Sequence, residues 1–258
     1  MKNKLFPVLF ALPITTGICG ALLRALQLRN SYDPAAGILE GGDPSGYGFS
    51  AVCIIAFLMA LIAAFISKRD AGMRTKGCNK ATEFSLFVSS GILLVYAGMV
   101  FFSLQAGFDT TKLVLALFSV YCAVSLLVFA KYSLSERDST AYCVFSAVPS
   151  FWACFMLILA FREKTSEPII SLYLPLILSY VSILLFCYAL AAHLLGKDKR
   201  HVAVFSCFFG IFFILVDLLS LLFAGEYLPF GTEKISELLP ELAFLVLMPS
   251  VTAHILKK

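Results

Sequence analysis

Long apolar runs alternate with short polar connectors along the whole chain. The runs are about 20 residues long, which is the length an α-helix needs to cross roughly 30 Å of hydrocarbon. Segments of about ten residues with alternating polarity, which would indicate a membrane barrel, do not occur. The pattern predicts an all-α, polytopic integral membrane helix bundle that forms a single domain over residues 1–258. About eight spans are expected, at 5–26, 48–67, 84–104, 113–131, 141–161, 169–195, 202–224 and 238–256.

Composition supports this class. Hydrophobic residues make up 60% of the chain and charged residues only 14%, against roughly 25% charged residues in soluble domains. Lys2 and Lys4 precede the first run as in a secretory signal, but the run is longer than a typical signal core and lacks a small-x-small cleavage site. We therefore expect the first run to remain as a span.

The basic residues predict the orientation. With the N-terminus inside, 14 of the 20 Lys and Arg residues fall on the inner side and 6 on the outer side, as the positive-inside rule requires. Both termini are therefore expected in the cytoplasm, and the membrane is expected to be the plasma membrane. The net charge of +4 then reflects topology, and no nucleic-acid partner is expected.

Small and polar residues share one edge of the seventh span. Spacing of three and four places Asp217 and Phe213 on this edge with Ala203, Ser206, Gly210, Ser220 and Ala224. Small residues let helices approach closely in lipid, so this edge is predicted to be a helix-packing seam. The bulky remainder of the span is expected to face lipid or bulky neighbours.

Asp217 is the residue of this seam that demands an explanation. A carboxylate in a membrane costs about 3 kcal/mol, so it must be paired with a cation, hydrated or protonated. In the first span, Arg24 and Gln27 share an edge with Pro13, Gly17 and Gly20. Arg24 is within reach of Asp217 if spans one and seven are neighbours, which the sequence alone does not show.

Other ionisable residues have ordinary explanations as well as functional ones. Glu241 begins the last span, where an acidic residue favours the positive end of the helix dipole. His193 and His254 lie at inner span ends, where we interpret them as interfacial residues, with a proton relay as the alternative. Seven of the eight cysteines fall inside spans and are interpreted as small packing residues.

Prolines and weak internal similarity suggest further features. Pro13, Pro149, Pro175 and Pro249 lie inside spans, where they are predicted to break or kink the helices and free backbone groups. Pro240 is predicted to start the final span, after a short interfacial helix. Similar segments at the ends of spans two and six suggest a 4+4 internal repeat with both halves in one orientation.

The first functional hypothesis is a small transporter or permease with a polar site in the outer half of the bilayer. Its candidate substrate-binding or ion-binding residues are Asp217, Arg24, Glu241, Gln27 and Ser220. The alternative is a non-catalytic scaffold, accessory subunit or sensor in which the intramembrane charges are structural. Partners would be the lipid bilayer and either a small solute or ion, or another membrane protein.

Catalysis is not expected. The chain has no H-E-x-x-H helix, no G-x-S-x-G segment, no phosphate-binding loop and no paired catalytic carboxylates in its spans. No cofactor and no metal site are predicted, because the cysteines and histidines lack the close spacing that metal sites show.

Overall fold

The computed structural model describes residues 2–33, 38–39, 43–69, 80–105, 107, 109–132, 140–164, 170–224 and 233–257. In these ranges the chain forms eight long helices: α1 Lys2–Ser31, α2 Pro44–Arg69, α3 Lys80–Ser103, α4 Thr110–Lys131, α5 Thr140–Lys164, α6 Ile170–Leu194, α7 Arg200–Ala224 and α8 Glu233–Lys257. All eight are long and apolar enough to cross a membrane. The predicted fold class is confirmed, and the protein is an integral, multi-pass helix bundle.

A two-residue β-ladder follows α1. Strand β1 (Tyr32–Asp33) pairs antiparallel with β2 (Ile38–Leu39), with Tyr32 opposite Leu39 and Asp33 opposite Ile38. Two Asp-Pro pairs, Asp33-Pro34 and Asp43-Pro44, predict turns in this connector, which would form either a folded lid over the outer face or a plain flexible connector. That choice depends on residues 34–37 and 40–42, which lie outside the described ranges.

Asp43 joins the end of α1 to the start of α2. Its carboxylate accepts hydrogen bonds from the Ser31 hydroxyl at 2.8 Å and from the Ser45 hydroxyl, and the Ser45 backbone N–H donates to it at 3.3 Å. An acceptor at this position caps the free N–H groups of a helix start. The hydrogen bonds from Ser45 and Ser31 hold the pKa of Asp43 below its ordinary value of 3.8.

The spans do not break at their prolines. Helix α5 continues through Pro149, α6 through Pro175, and α8 through both Pro240 and Pro249. The predicted breaks are therefore wrong, and so is a final span that begins at Pro240 after a separate helix. Neighbouring helices in a membrane bundle can satisfy the backbone groups that a proline frees, which lets the helix persist.

Helices α3 to α8 form a closed six-helix body. In this body α3 packs on α4, α4 on α5, α5 on α6, α6 on α7 and α7 on α8, and α8 returns to α3. All buried residues of the largest apolar core come from these six helices. Trp152 of α5 lies at its centre, stacked on Phe244 of α8 with 5.4 Å between the ring centroids.

The remaining two helices form a separate hairpin. Helices α1 and α2 pack on each other, and their main contact with the body is α7. On this surface Phe57 of α2 meets Phe205 and Phe209 of α7 edge to face, with ring centroids 5.9 and 5.7 Å apart. The α1–α2 hairpin is thus attached to the six-helix body chiefly through one helix.

The two halves of the chain are packed differently. Helix α6 packs along α7, whereas the corresponding pair in the first half, α2 and α3, has no comparable contact among the described residues. Helix α1 packs along α7, but its counterpart α5 has no such contact with α3. The internal duplication therefore stays a prediction from sequence.

Candidate functional site

The small-residue edge of α1 brings it against α7. A Cβ atom added at Gly17 would lie 3.0 Å from Leu215, and one added at Gly20 would lie 3.0 Å from Val216 and 3.1 Å from the Phe212 ring. Only glycine allows so close an approach of the two helix backbones. The contacts advance in the same order along both helices, so α1 and α7 run in the same direction.

Arg24 lies one turn beyond Gly20 and therefore enters the junction of α1, α2 and α7. Its side chain is 3% exposed. The guanidinium donates from Nη1 to Gln27 Oε1 at 2.7 Å, and its central carbon lies 5.5 Å from the centre of the Phe49 ring of α2. A cation over an aromatic face is stabilised by the ring quadrupole, most strongly where water is excluded.

Asp217 of α7 supplies the opposite charge. Its carboxylate interacts electrostatically with Arg24 across the α1/α7 contact. The side chain is half-buried, whereas that of Ser220, one turn further along, is buried. The Ser220 hydroxyl donates to the Asp217 backbone carbonyl at 3.1 Å. The structure therefore brings together Arg24 and Asp217, as their positions on the two seams predicted for neighbouring spans.

Gln27 extends this group toward α2. A Cβ atom added at Gly46 would lie 2.9 Å from the Gln27 amide nitrogen, so the absence of a side chain at Gly46 makes room for the amide. Gln27 thus contacts Arg24 on its own helix and the first turn of α2. We call Arg24, Gln27, Phe49, Asp217 and Ser220 the Arg24 cluster.

Glu241 lies elsewhere, at the contact between α6 and α8. It is completely buried, and the Ser179 hydroxyl of α6 donates to its Oε1. Two residues further along α8, the Ala243 carbonyl accepts a hydrogen bond from Ser89 of α3 at 2.8 Å. The hydrogen bonds thus join Arg24 to Gln27 at the hairpin and Glu241 to Ser179 inside the body; a cavity that Glu241 would share with Arg24 and Asp217 stays a prediction.

The seam of α7 divides between two neighbours. A Cβ atom added at Gly210 would meet Met248 Sδ of α8 at 2.9 Å and Ser182 Cβ of α6 at 3.2 Å, so the seam faces α6 and α8 at this level. Nearer the start of α7, Ala203 and Ser206 are buried, and Ala224 is its last residue. Asp217, unlike Gly210, lies at the contact between α7 and α1.

The bulky positions of α7 face neighbouring helices along most of its length. Ile211, Phe212, Ile214 and Val216 are all buried, whereas Leu222 and Phe223 near the end of the helix are exposed. Both expected environments therefore occur: bulky neighbours, supplied by α1, α2, α6 and α8, and an open surface at the end of α7.

Two histidines meet at the opposite end of the bundle. His193 lies next to the last residue of α6 and His254 lies in the last turns of α8; both are buried, and their ring centroids are 6.4 Å apart with the rings nearly perpendicular. Their interpretation as interfacial residues missed this contact. The sequence signal for it is that both lie near the end of an even-numbered span and so at one end of the bundle.

The remaining surface features carry little chemistry. A groove of about 290 Å³ between α3 and α4 is lined entirely by apolar side chains and glycine, including Leu94, Gly98, Phe101, Leu117 and Val120. Among the described residues, no three His, Cys, Asp or Glu side chains are grouped so that they could hold a metal ion.

Comparisons with protein-family models, with curated proteins and with solved structures find no match to this chain. The function must therefore be argued from the geometry of the Arg24 cluster and of the six-helix body.

Proposed function

We propose that the protein is a small transporter of a charged solute or ion, in which the α1–α2 hairpin moves against the six-helix body. The observation that carries this proposal is the position of Arg24, buried at the surface where the hairpin meets α7. A charge inside a membrane bundle is costly, and such groups mark substrate and ion pathways more often than ordinary packing.

The Arg24 cluster contains a cation and an anion whose attraction would hold the hairpin closed against α7. Most of the hairpin's contact with α7 is apolar, and apolar contact in lipid gives little preference for one arrangement over another. The interaction of Arg24 with Asp217 supplies that preference. An anionic group would compete with Asp217 for the guanidinium, and a cation would compete with Arg24 for the carboxylate, so either ligand would favour an opened hairpin.

The predicted orientation places the Arg24 cluster toward the outside of the plasma membrane. A solute would then reach the cluster from the outer end, where α1 ends and α2 begins. This orientation is a prediction from the distribution of Lys and Arg residues between the two sides of the spans.

A structural role is the second candidate, and one observation favours it. The charge of Arg24 is matched inside the protein by Gln27, the Phe49 ring and Asp217. In a scaffold, accessory subunit or sensor, this group would hold the hairpin in register, and a membrane protein partner would then bind elsewhere on the bundle.

Uptake into vesicles that contain only the purified protein tests the first candidate. Asp217→Asn keeps the size of the side chain and its capacity for hydrogen bonds but removes the charge. We expect at least a tenfold loss of uptake of the charged solutes that the wild type accumulates, while the helical circular dichroism and the elution volume in detergent stay those of the wild type.

The exchanged variant, Arg24→Asp with Asp217→Arg, separates the two candidates. A structural pair tolerates exchange, so the scaffold hypothesis expects the thermal stability lost in either single variant to return in the double variant. A transport site has its charges reversed, so uptake stays lost even where stability returns. Absence of uptake by the wild-type protein for anions and cations alike would reject the transport proposal.

A further inference from the structure

Glu241 is an ionisable group that the Arg24 cluster leaves unexplained. Its side chain is completely buried and receives the Ser179 hydroxyl bond from α6. The Ser89 bond to the Ala243 carbonyl ties the same turn of α8 to α3. The carboxyl group is therefore buried where α8 packs against α6 and α3.

Its depth follows from the pairing of α3 with α8. Ser89 pairs with Ala243, and Ser85 contacts Ser250, so the two helices run in opposite directions. Glu241 lies two residues before Ala243, which places it level with Gly91 of α3 and near the start of the apolar stretch Leu238–Leu256 of α8. The carboxyl group thus lies within the apolar part of the bundle, where an ionised carboxylate is costly.

The helices packed around Glu241 carry hydroxyl groups and phenols at a similar height. Ser179 supplies a hydrogen bond but no positive charge. The titratable side chains nearest in height on the packed helices are Tyr96 of α3, Tyr180 of α6 and Asp217 of α7; the Tyr96 hydroxyl contacts Met156 of α5, and Asp217 interacts with Arg24. The charged groups of α3, Lys80 and Glu83, lie in its first turn, toward the histidine end of the bundle.

The same two helices carry the histidine pair. Thirteen residues separate Glu241 from His254, which is roughly 20 Å along a helix. Between them, Thr252 of α8 is completely buried and lies next to Cys207 of α7, and Ser182 of α6 lies at the Gly210 contact. Polar groups are thus spaced along the α6/α7/α8 contact from Glu241 to the histidine end of the bundle.

We propose that Glu241 is a proton-binding site of the six-helix body and that His193 and His254 relay protons to it from the end where α6 and α8 finish. A proton from water passes to an imidazole nitrogen, crosses the roughly 20 Å to Glu241 through water molecules and the intervening hydroxyl groups, and binds the carboxylate, which becomes a neutral carboxylic acid; release reverses these steps. Imidazole suits the entry position because it gains and loses protons near neutral pH. A coupling role for this proton rests on the transport function proposed above, but proton binding itself does not.

Infrared difference spectroscopy of the purified protein in vesicles tests proton binding without any transported solute. Between about pH 6 and 8, where exposed carboxyl groups stay ionised, we expect a carboxylic acid C=O band that grows as the pH falls and shifts in D₂O. Glu241→Gln should abolish this band, whereas Asp217→Asn should leave it. Glutamine keeps an oxygen that can accept the Ser179 bond, so the variant is expected to retain the wild-type thermal stability.

Chemical labelling gives a second measurement. A hydrophobic carbodiimide reacts with protonated carboxyl groups in membranes, and mass spectrometry of peptides locates the adduct. We expect an adduct on Glu241 that forms faster at lower pH. A band that survives in Glu241→Gln, or a wild-type protein that shows neither band nor adduct on Glu241, would overturn the proposal.

The relay is tested by the rate of hydrogen–deuterium exchange of the same band. His254→Asn should slow the exchange at least tenfold while the amplitude of the band is unchanged; an unchanged rate would refute the histidine relay. Loss of uptake with an intact Glu241 band would count against transport only, whereas uptake that is independent of Glu241 would count against proton coupling only.

Discussion

The six-helix body and the α1–α2 hairpin are both built from helices long and apolar enough to cross a membrane, but they are stabilised differently. In α7, 67% of the most apolar stretch is buried inside the protein, whereas in α2 only 22% is buried. The body closes on itself as a ring of helices, whereas the hairpin packs as a unit on one main neighbour, α7. The exposed face of α2 includes Ile54, Leu58, Ile62 and Phe65.

This difference shows where a polar contact matters most. Inside the body, many side chains interdigitate and together specify one packing arrangement. The hairpin has less contact area, so a single interaction such as Arg24 with Asp217 contributes a larger share of what fixes its position. We therefore expect the position of the hairpin to depend on charge, and the stability of the body to depend on side-chain packing.

The largest effect is expected from a truncation in the body. Trp152 is completely buried, stacks on Phe244 and donates its indole N–H to Ser119 at 2.9 Å. Trp152→Ala should reduce the free energy of unfolding by about 3–5 kcal/mol, because it leaves a large cavity. The matched hairpin variant Phe57→Ala, at a side chain 41% exposed, should cost about 1 kcal/mol or less. Thermal unfolding in detergent measures both, and equal losses would contradict the comparison.

Three glycine substitutions test the comparison between the six-helix body and the hairpin in more detail. Gly210→Ala should destabilise the body by about 1–3 kcal/mol because the new methyl group meets Met248 and Ser182. Gly20→Ala meets Val216 and Phe212 and should loosen the hairpin while the body stays folded. Gly91→Ala is the control, since its methyl group would meet nothing within 4 Å. Hydrogen exchange measured helix by helix distinguishes the three variants. Faster exchange in α3–α8 of Gly20→Ala would contradict the expectation that this substitution affects only the hairpin.

The smallest effect is expected at the connector between α1 and α2. The pKa of Asp43 is lowered by hydrogen bonds from Ser45 and Ser31, so its contribution to stability is present above pH 3.8 and is lost as the pH falls through the lower, folded-state pKa. Acidification below pH 3.8 should increase hydrogen exchange at the start of α2. Asp43→Asn should show the increased exchange already at neutral pH. An exchange rate that is unaffected by acidification and by the substitution would exclude a capping role for Asp43.

Sequence periodicity was informative about single helices. The edge with Gly17, Gly20 and Arg24 faces α7 as its small residues predicted, because close helix approach in lipid requires small side chains. The position of Asp217 on a seam likewise predicted that it contacts another helix. Neither pattern names the partner helix, since the spacing of small residues is the same whichever neighbour fills it.

The pattern failed where a residue's surroundings come from several helices. Glu241 was grouped with Arg24 in one polar site, and the spacing of residues along α8 gave no indication of its contact with Ser179 of α6. The contact of His193 with His254 also depends on how α6 and α8 are rotated. The predicted proline breaks failed for a related reason, since neighbouring helices decide whether a freed carbonyl is tolerated.

By itself, the sequence determined that the chain crosses the membrane as about eight helices and which edge of several helices carries small and polar residues. Both follow from local rules, because hydrocarbon demands long apolar helices and helical spacing assigns residues to edges. Only the tertiary structure decided that α7 is the central helix, that α1 and α2 form a hairpin upon it, and that Arg24 and Glu241 occupy separate sites. These depend on the order and rotation of helices, which are set by packing between segments far apart in the chain.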